Sequence, residues 1–129
     1  MATPAPLVTR VDFVSVPTQD IEAAKDFYGN VLGLPCSVVY ERLPGAEFET
    51  GNVTLAVIEP RALGFEFSRN ANMIALHVED MAAARADLES RGVVFQGDVL
   101  DTGVCYMSFF ADRDGNALML HHNYARGGA

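Results

Sequence analysis

FVSVPTQDIEAAKDFYGNVLGL, from Phe13 to Leu34, and MIALHVEDMAAARADLESRGVVF, from Met73 to Phe95, carry one pattern twice. Each opens on an apolar run of strand character and passes through an aspartate, Asp20 or Asp80, into an alanine-rich helix. Each aspartate stands where a carboxylate can accept the free backbone N–H groups of a helix start. Each helix stops at a glycine, Gly33 or Gly92, where the left-handed conformation carries no Cβ penalty. Ile21, Ala24, Tyr28 and Val31 form an apolar stripe on the first helix, and Met81, Ala84 and Leu88 form one on the second.

Three further strand candidates follow each helix. They are roughly Leu34–Arg42, Ala46–Thr50 and Asn52–Glu59 in the first half, and Val93–Val99, Val104–Ala111 and Asn116–His122 in the second. The separators LPGAE, TGN, DTG and DRDGN are turn-forming. Each half therefore reads β-α-β-β-β, with module 1 at about 7–59, a linker at about 60–72, module 2 at about 73–123 and a short flexible C-terminal tail. A repeat this small cannot bury its sheet alone, so the halves of this single domain, 1–129, are expected to pair, either within one chain or by exchange across a dimer.

The chain has 129 residues, 50% of them apolar, enough for a single core. Its apolar runs are too short to cross a bilayer, and MATPAPLVTR lacks the basic start and apolar stretch of a signal peptide. Cys36 and Cys105 are too few for a disulfide framework and read as free thiols in a reducing cytoplasm. A net charge of −8 argues against nucleic acid, which needs clustered Lys and Arg, and leaves cationic ligands open.

DIEAAKDFYGNVLGL in the first half and DRDGNALML in the second, with the helix around Val78–Arg91, make the chain similar to the vicinal oxygen chelate superfamily. That superfamily holds glyoxalase I, extradiol dioxygenases and the fosfomycin- and bleomycin-resistance proteins. The resemblance runs from about Leu7 to Asn123, with Arg113 standing where the family's turn carries proline. It implies an α+β fold of two paired βαβββ modules forming a curved mixed sheet around a central cleft, and a homodimer in many members.

The resemblance also implies where metal ligands belong: seven residues before each helix-capping aspartate, and in the last strand of each module. In this sequence those positions are Phe13, Met73 and, after the Asp-Gly-Asn turn, Met119. Thioether and phenyl groups do not replace the hydration shell of a hard divalent ion, so the usual site is expected to be absent. A displaced set of His77, His121 and Glu59 is the alternative, although its histidines stand about 7–13 Å along their strands from the usual place. His122, on the opposite face from His121, reads as structural or exposed. Asp112, Asp114, Gly115 and Asn116 read as turn chemistry, because a calcium loop needs more acidic ligands and a later glutamate.

The expected cleft gathers Phe13, Ser15, Met73, Ala75, His77, Tyr106, Met119 and His121, with Phe48, Ser108 and Phe110 as additions whose strand phase is open. Phe65 and Phe67 are placed over the cleft or at a dimer seam. Aromatic and methionine side chains suit an apolar or aromatic ligand, a cationic one included. The expectation is a cytoplasmic, dimeric, metal-free small-molecule-binding protein of the bleomycin-resistance kind. The competing classes are a metal-dependent lyase, isomerase or dioxygenase using the displaced set, and a metal-free enzyme using His77 or Tyr106 as acid or base. No cysteine stands beside a histidine in sequence to suggest a nucleophile pair.

Overall fold

The computed structural model describes residues 5–125, so the last residues of the expected C-terminal tail lie outside the described part. Module 1 contains β1 (Val14–Pro17), α1 (Ile21–Asp26), β2 (Cys36–Val39), β3 (Gly45–Glu49) and β4 (Thr54–Ile58). Module 2 repeats the order with β5 (Ile74–His77), α2 (Met81–Ser90), β6 (Gln96–Asp101), β7 (Cys105–Ala111) and β8 (Ala117–Asn123). Two four-stranded mixed sheets result, ordered β1-β4-β3-β2 and β5-β8-β7-β6. In each, the first strand pairs parallel with the last and the other pairings are antiparallel.

The helix ends follow the local chemistry. Asp20 accepts from the backbone N–H groups of Glu22 and Ala23, and Asp80 accepts from that of Ala83. Gly33 and Gly92 take φ values of 74° and 95° just past the helix ends. The first helix adds a feature that apolar spacing does not show: it widens into a π turn over Phe27–Val31, where Gly29 and Asn30 are weak helix formers. That turn carries the rings of both Phe27 and Tyr28 into the interior.

Each sheet turns one face toward the helices. Val16, Leu55, Val57 and Phe48 from the first, and Phe110, Leu118 and Leu120 from the second, join Ala24, Phe27, Tyr28, Met81 and Leu88 in one continuous core. Fully burying a side chain of this size stabilises by about 1.5–3 kcal/mol, so the shared core holds the two modules together. The DRDGN turn, Asp112 to Asn116, fastens the junction. Asp112 accepts a hydrogen bond from the Tyr28 hydroxyl at 2.6 Å, and Asp114 accepts from the Thr18 hydroxyl and from the backbone N–H of Gln19. Asn116 donates to the Pro17 carbonyl, and Arg113 donates to the Ala23 carbonyl and pairs with Asp26 at 2.7 Å. Among the described residues no helix is long and apolar enough to cross a membrane.

Strand phase corrects part of the expected cleft. Tyr106, Ser108 and Phe110 stand opposite His122, Leu120 and Leu118, on the helix-facing side of their sheet. Phe48 and Phe110 are core residues, Ser108 is covered by Arg85 of α2, and Tyr106 packs against the core. The side chains that share a face with Met119 and His121 are instead Phe109 and Met107.

Candidate functional site

The uncovered face of the second sheet forms two rows across its strands. Ala75, Met119, Phe109 and Gln96 stand side by side in one row, and His77, His121, Met107 and Leu100 in the next. Met73, just before β5, remains 46% exposed. The result is a thioether- and phenyl-rich surface edged by imidazoles. Its residues come together because strand alternation sends every second side chain of β5, β7 and β8 away from the helices.

The uncovered face of the first sheet has a different character. Ser15, Ala56 and Glu47 are neighbours in adjacent strands, Thr54 and Glu49 form a further pair, and Phe13 leads into β1 at 47% exposure. Glu47 accepts from the Tyr40 hydroxyl at 2.6 Å; burial first, and this bond second, push Tyr40 up to about 12. Hydroxyls of Ser37 and Thr54 hold the Glu49 carboxyl below its ordinary range. The linker runs beside this face. Phe65 bounds a hollow with Ser15, Pro17 and Ile58, while Phe67 lies in a separate one with Thr18 and Arg61.

A larger cleft, about 560 Å³, lies between the modules along the free edge of β5. Val14, Leu34, Leu55, Ile74, Leu76 and Leu88 line it, with Asp87, Arg91, Asn52 and His77 among its polar residues. Its origin is an asymmetry in the repeat. Where module 2 presents the five-residue DRDGN turn to Tyr28, module 1 presents Thr50–Val53, one residue shorter and without a carboxylate, near Leu88. One junction is thereby fastened and its counterpart left open. Ala75 and His77 reach this cleft as well as the open sheet face.

At the positions that the resemblance assigns to chelation the side chains do not fit a hard divalent ion: Met73 and Met119 belong to the thioether- and phenyl-rich face of the second sheet, and Phe13 leads into the first sheet beside Ser15. The displaced set is also not assembled. Glu59 is 8% exposed and sits in module 1, where its carboxylate accepts from the backbone N–H of Ile21 and pairs with Arg61. The group that does come together is His77, Glu79 and His122, whose ligand atoms all lie within 4.8 Å of one another. No sequence pattern joins His122 to Glu79, and the approach of β5 and β8 at the sheet edge brings them together. The two cysteines are free thiols, Cys36 exposed and Cys105 buried.

The sequence profile described as the Glyoxalase/Bleomycin resistance protein/Dioxygenase superfamily matches residues 10–120. No curated protein is similar enough in sequence to count as a match. Among solved structures, the chain is similar to TnmS3, an antibiotic binding protein from Streptomyces sp. CB03234, at 24% identity and a TM-score of 0.78, covering 92% of this chain and 99% of that one. A glyoxalase/bleomycin resistance protein from the same organism is 26% identical over 84% of this chain and 96% of its own, with a TM-score of 0.68. Lactoylglutathione lyase from Agrobacterium tumefaciens is 15% identical with a TM-score of 0.77, covering 95% of this chain and 99% of that one.

Proposed function

Since the chain belongs to the Glyoxalase/Bleomycin resistance protein/Dioxygenase superfamily, we propose that it is a cytoplasmic small-molecule-binding protein that needs no metal at the family's chelating positions. Its ligand is apolar or aromatic, and a cationic one is favoured by the net charge of −8 and by Glu47 and Glu49 on the first sheet. The observation that carries this reading is Met119, set between Ala75 and Phe109 on an open face where metal-dependent relatives present an acidic ligand. Methionine adapts its shape to flat or irregular apolar molecules and contacts aromatic rings favourably. The antibiotic-binding description of TnmS3 supports the same reading.

The two open sheet faces belong to different modules, and closure of each by a second copy is part of the proposal. In the proposed assembly, the Phe13–Ser15 face and the Met73–Met119 face of paired copies close around the ligand, with Ala75, His77 and His121 beside them.

The test uses untagged protein treated with a chelator and screened by thermal shift against cationic planar antibiotics and aromatic metabolites. A ligand present at a hundred times its dissociation constant stabilises the native state by about 2.7 kcal/mol. Met119→Lys, at a partly exposed position, is expected to abolish the shift without unfolding the chain. A shift that disappears on chelation, or one that Met119→Lys leaves intact, overturns the proposal. Sedimentation checks the assembly, and a strictly monomeric ligand complex would remove the paired-copy arrangement.

A further inference from the structure

The geometry points to a transition-metal site at the end of β5, formed by His77, Glu79 and His122, away from the family's chelating positions. His122 is the residue that argues most strongly for it. Its Nδ1 lies 2.9 Å from the Val78 carbonyl oxygen. A carbonyl can only accept, so Nδ1 carries the proton and Nε2 keeps its lone pair. This is the arrangement found behind metal-binding histidines, whose second ring nitrogen donates to a backbone carbonyl and so fixes both tautomer and ring orientation.

His77 supplies the second imidazole, its ring centroid 5.9 Å from that of His122 and tilted by 34°. Glu79 supplies a carboxylate oxygen 3.1 Å from His77 Nε2. Three donors bound to zinc at about 2.0–2.2 Å would stand about 3.4 Å apart in a tetrahedron, so the group must contract by roughly 1–1.5 Å. The mobile member can supply that movement, because the Glu79 side chain is 89% exposed and the His77 side chain 51%. His122 is the anchored one. When the ion binds through His77 Nε2, that nitrogen gives up its hydrogen bond to Glu79 and the neutral ring carries its proton on Nδ1.

Two imidazoles and one carboxylate select a divalent ion of the zinc class over magnesium or calcium, which favour all-oxygen shells. A three-residue set leaves a fourth position for water or for a ligand atom, as open zinc sites do. His77 also lines the 560 Å³ cleft between the modules. The ligand-binding reading above does not depend on this ion, since its test is run with a chelator present.

Zinc alone, titrated into untagged, metal-stripped protein, is expected to bind one ion per chain and raise the melting temperature. His77→Ala, His122→Ala and Glu79→Gln are each expected to weaken binding at least tenfold. Glu79→Gln, at an exposed position, keeps the test valid if a histidine variant fails to fold. Copper(II) in the same protein should show two nitrogen ligands by electron paramagnetic resonance, falling to one in His122→Ala. In nitrogen-15 spectra, His122 Nδ1 should keep its proton while Nε2 shifts on zinc binding. Absence of binding, affinity unchanged in both Glu79→Gln and His122→Ala, or loss in His121→Ala to the same extent would overturn the assignment.

Discussion

Asp112→Ala is expected to lower the unfolding free energy by about 3–5 kcal/mol, the cost of removing one partner from a buried, charged hydrogen-bond network. The carboxylate is 8% exposed and all of its bonds are internal. One oxygen accepts from the Tyr28 hydroxyl and the Asn116 amide; the other accepts from the backbone N–H groups of Asp114 and Asn116. Alanine removes every one of these acceptors and leaves the Tyr28 hydroxyl stranded in the core. Urea denaturation of parent and variant measures the effect. A midpoint shift equivalent to less than about 0.5 kcal/mol, the ordinary range of surface changes, would show that the turn does not fasten the modules. Tyr28→Phe loses one bond of the same network and should cost about 1–2 kcal/mol. In the double variant the two losses should fall short of their sum, because the Tyr28–Asp112 bond is counted in both.

This network marks the boundary of what local sequence reveals. Asp20, Asp80, Gly33 and Gly92 act on backbone groups within a few residues, so the helices and the repeat were legible from spacing. DRDGN was legible as a turn, but its reach to Thr18, Tyr28 and Asp26 spans separations of 84 to 96 residues that no pattern encodes. The strand CYMSFFA is apolar on both sides, so alternation alone cannot choose its phase. Ser108 is buried because Arg85 bonds to it, with the guanidinium also over the Phe95 ring, and that arrangement turns Met107 and Phe109 outward. Val93 read as the start of a strand, yet its N–H donates to the Leu88 carbonyl and its side chain closes the end of α2. Pairing therefore begins only at Gln96. The donor chemistry of Phe13, Met73 and Met119 can be read from residue type alone. That of His122 cannot, because its value lies in the Val78 carbonyl it meets across the sheet.

Raising the pH above 10 is expected to destabilise the protein by on the order of 1 kcal/mol per pH unit through Tyr28 alone. Burial is the main cause, and the neighbouring Asp112 charge the next, of a phenol whose proton is held far above the ordinary tyrosine range. Below pH 10 the folded and unfolded chains both keep that proton, and stability does not respond. Above pH 10 the unfolded chain releases it while the folded chain retains it. The unfolded state then binds fewer protons, so stability falls as pH rises and continues to fall until the folded phenol also ionises. Tyr40, pushed up to about 12 by burial and its bond to Glu47, steepens the decline between pH 10 and 12. Lys25 is the only lysine, so the tyrosines dominate titration in this window. Urea midpoints recorded from pH 9 to 12 should therefore converge for parent and Tyr28→Phe: the variant starts lower, but its slope is shallower by one proton. Parallel lines would show that Tyr28 ionises as readily in the folded chain as in the unfolded one, and that the bond fastening the two modules is open to solvent.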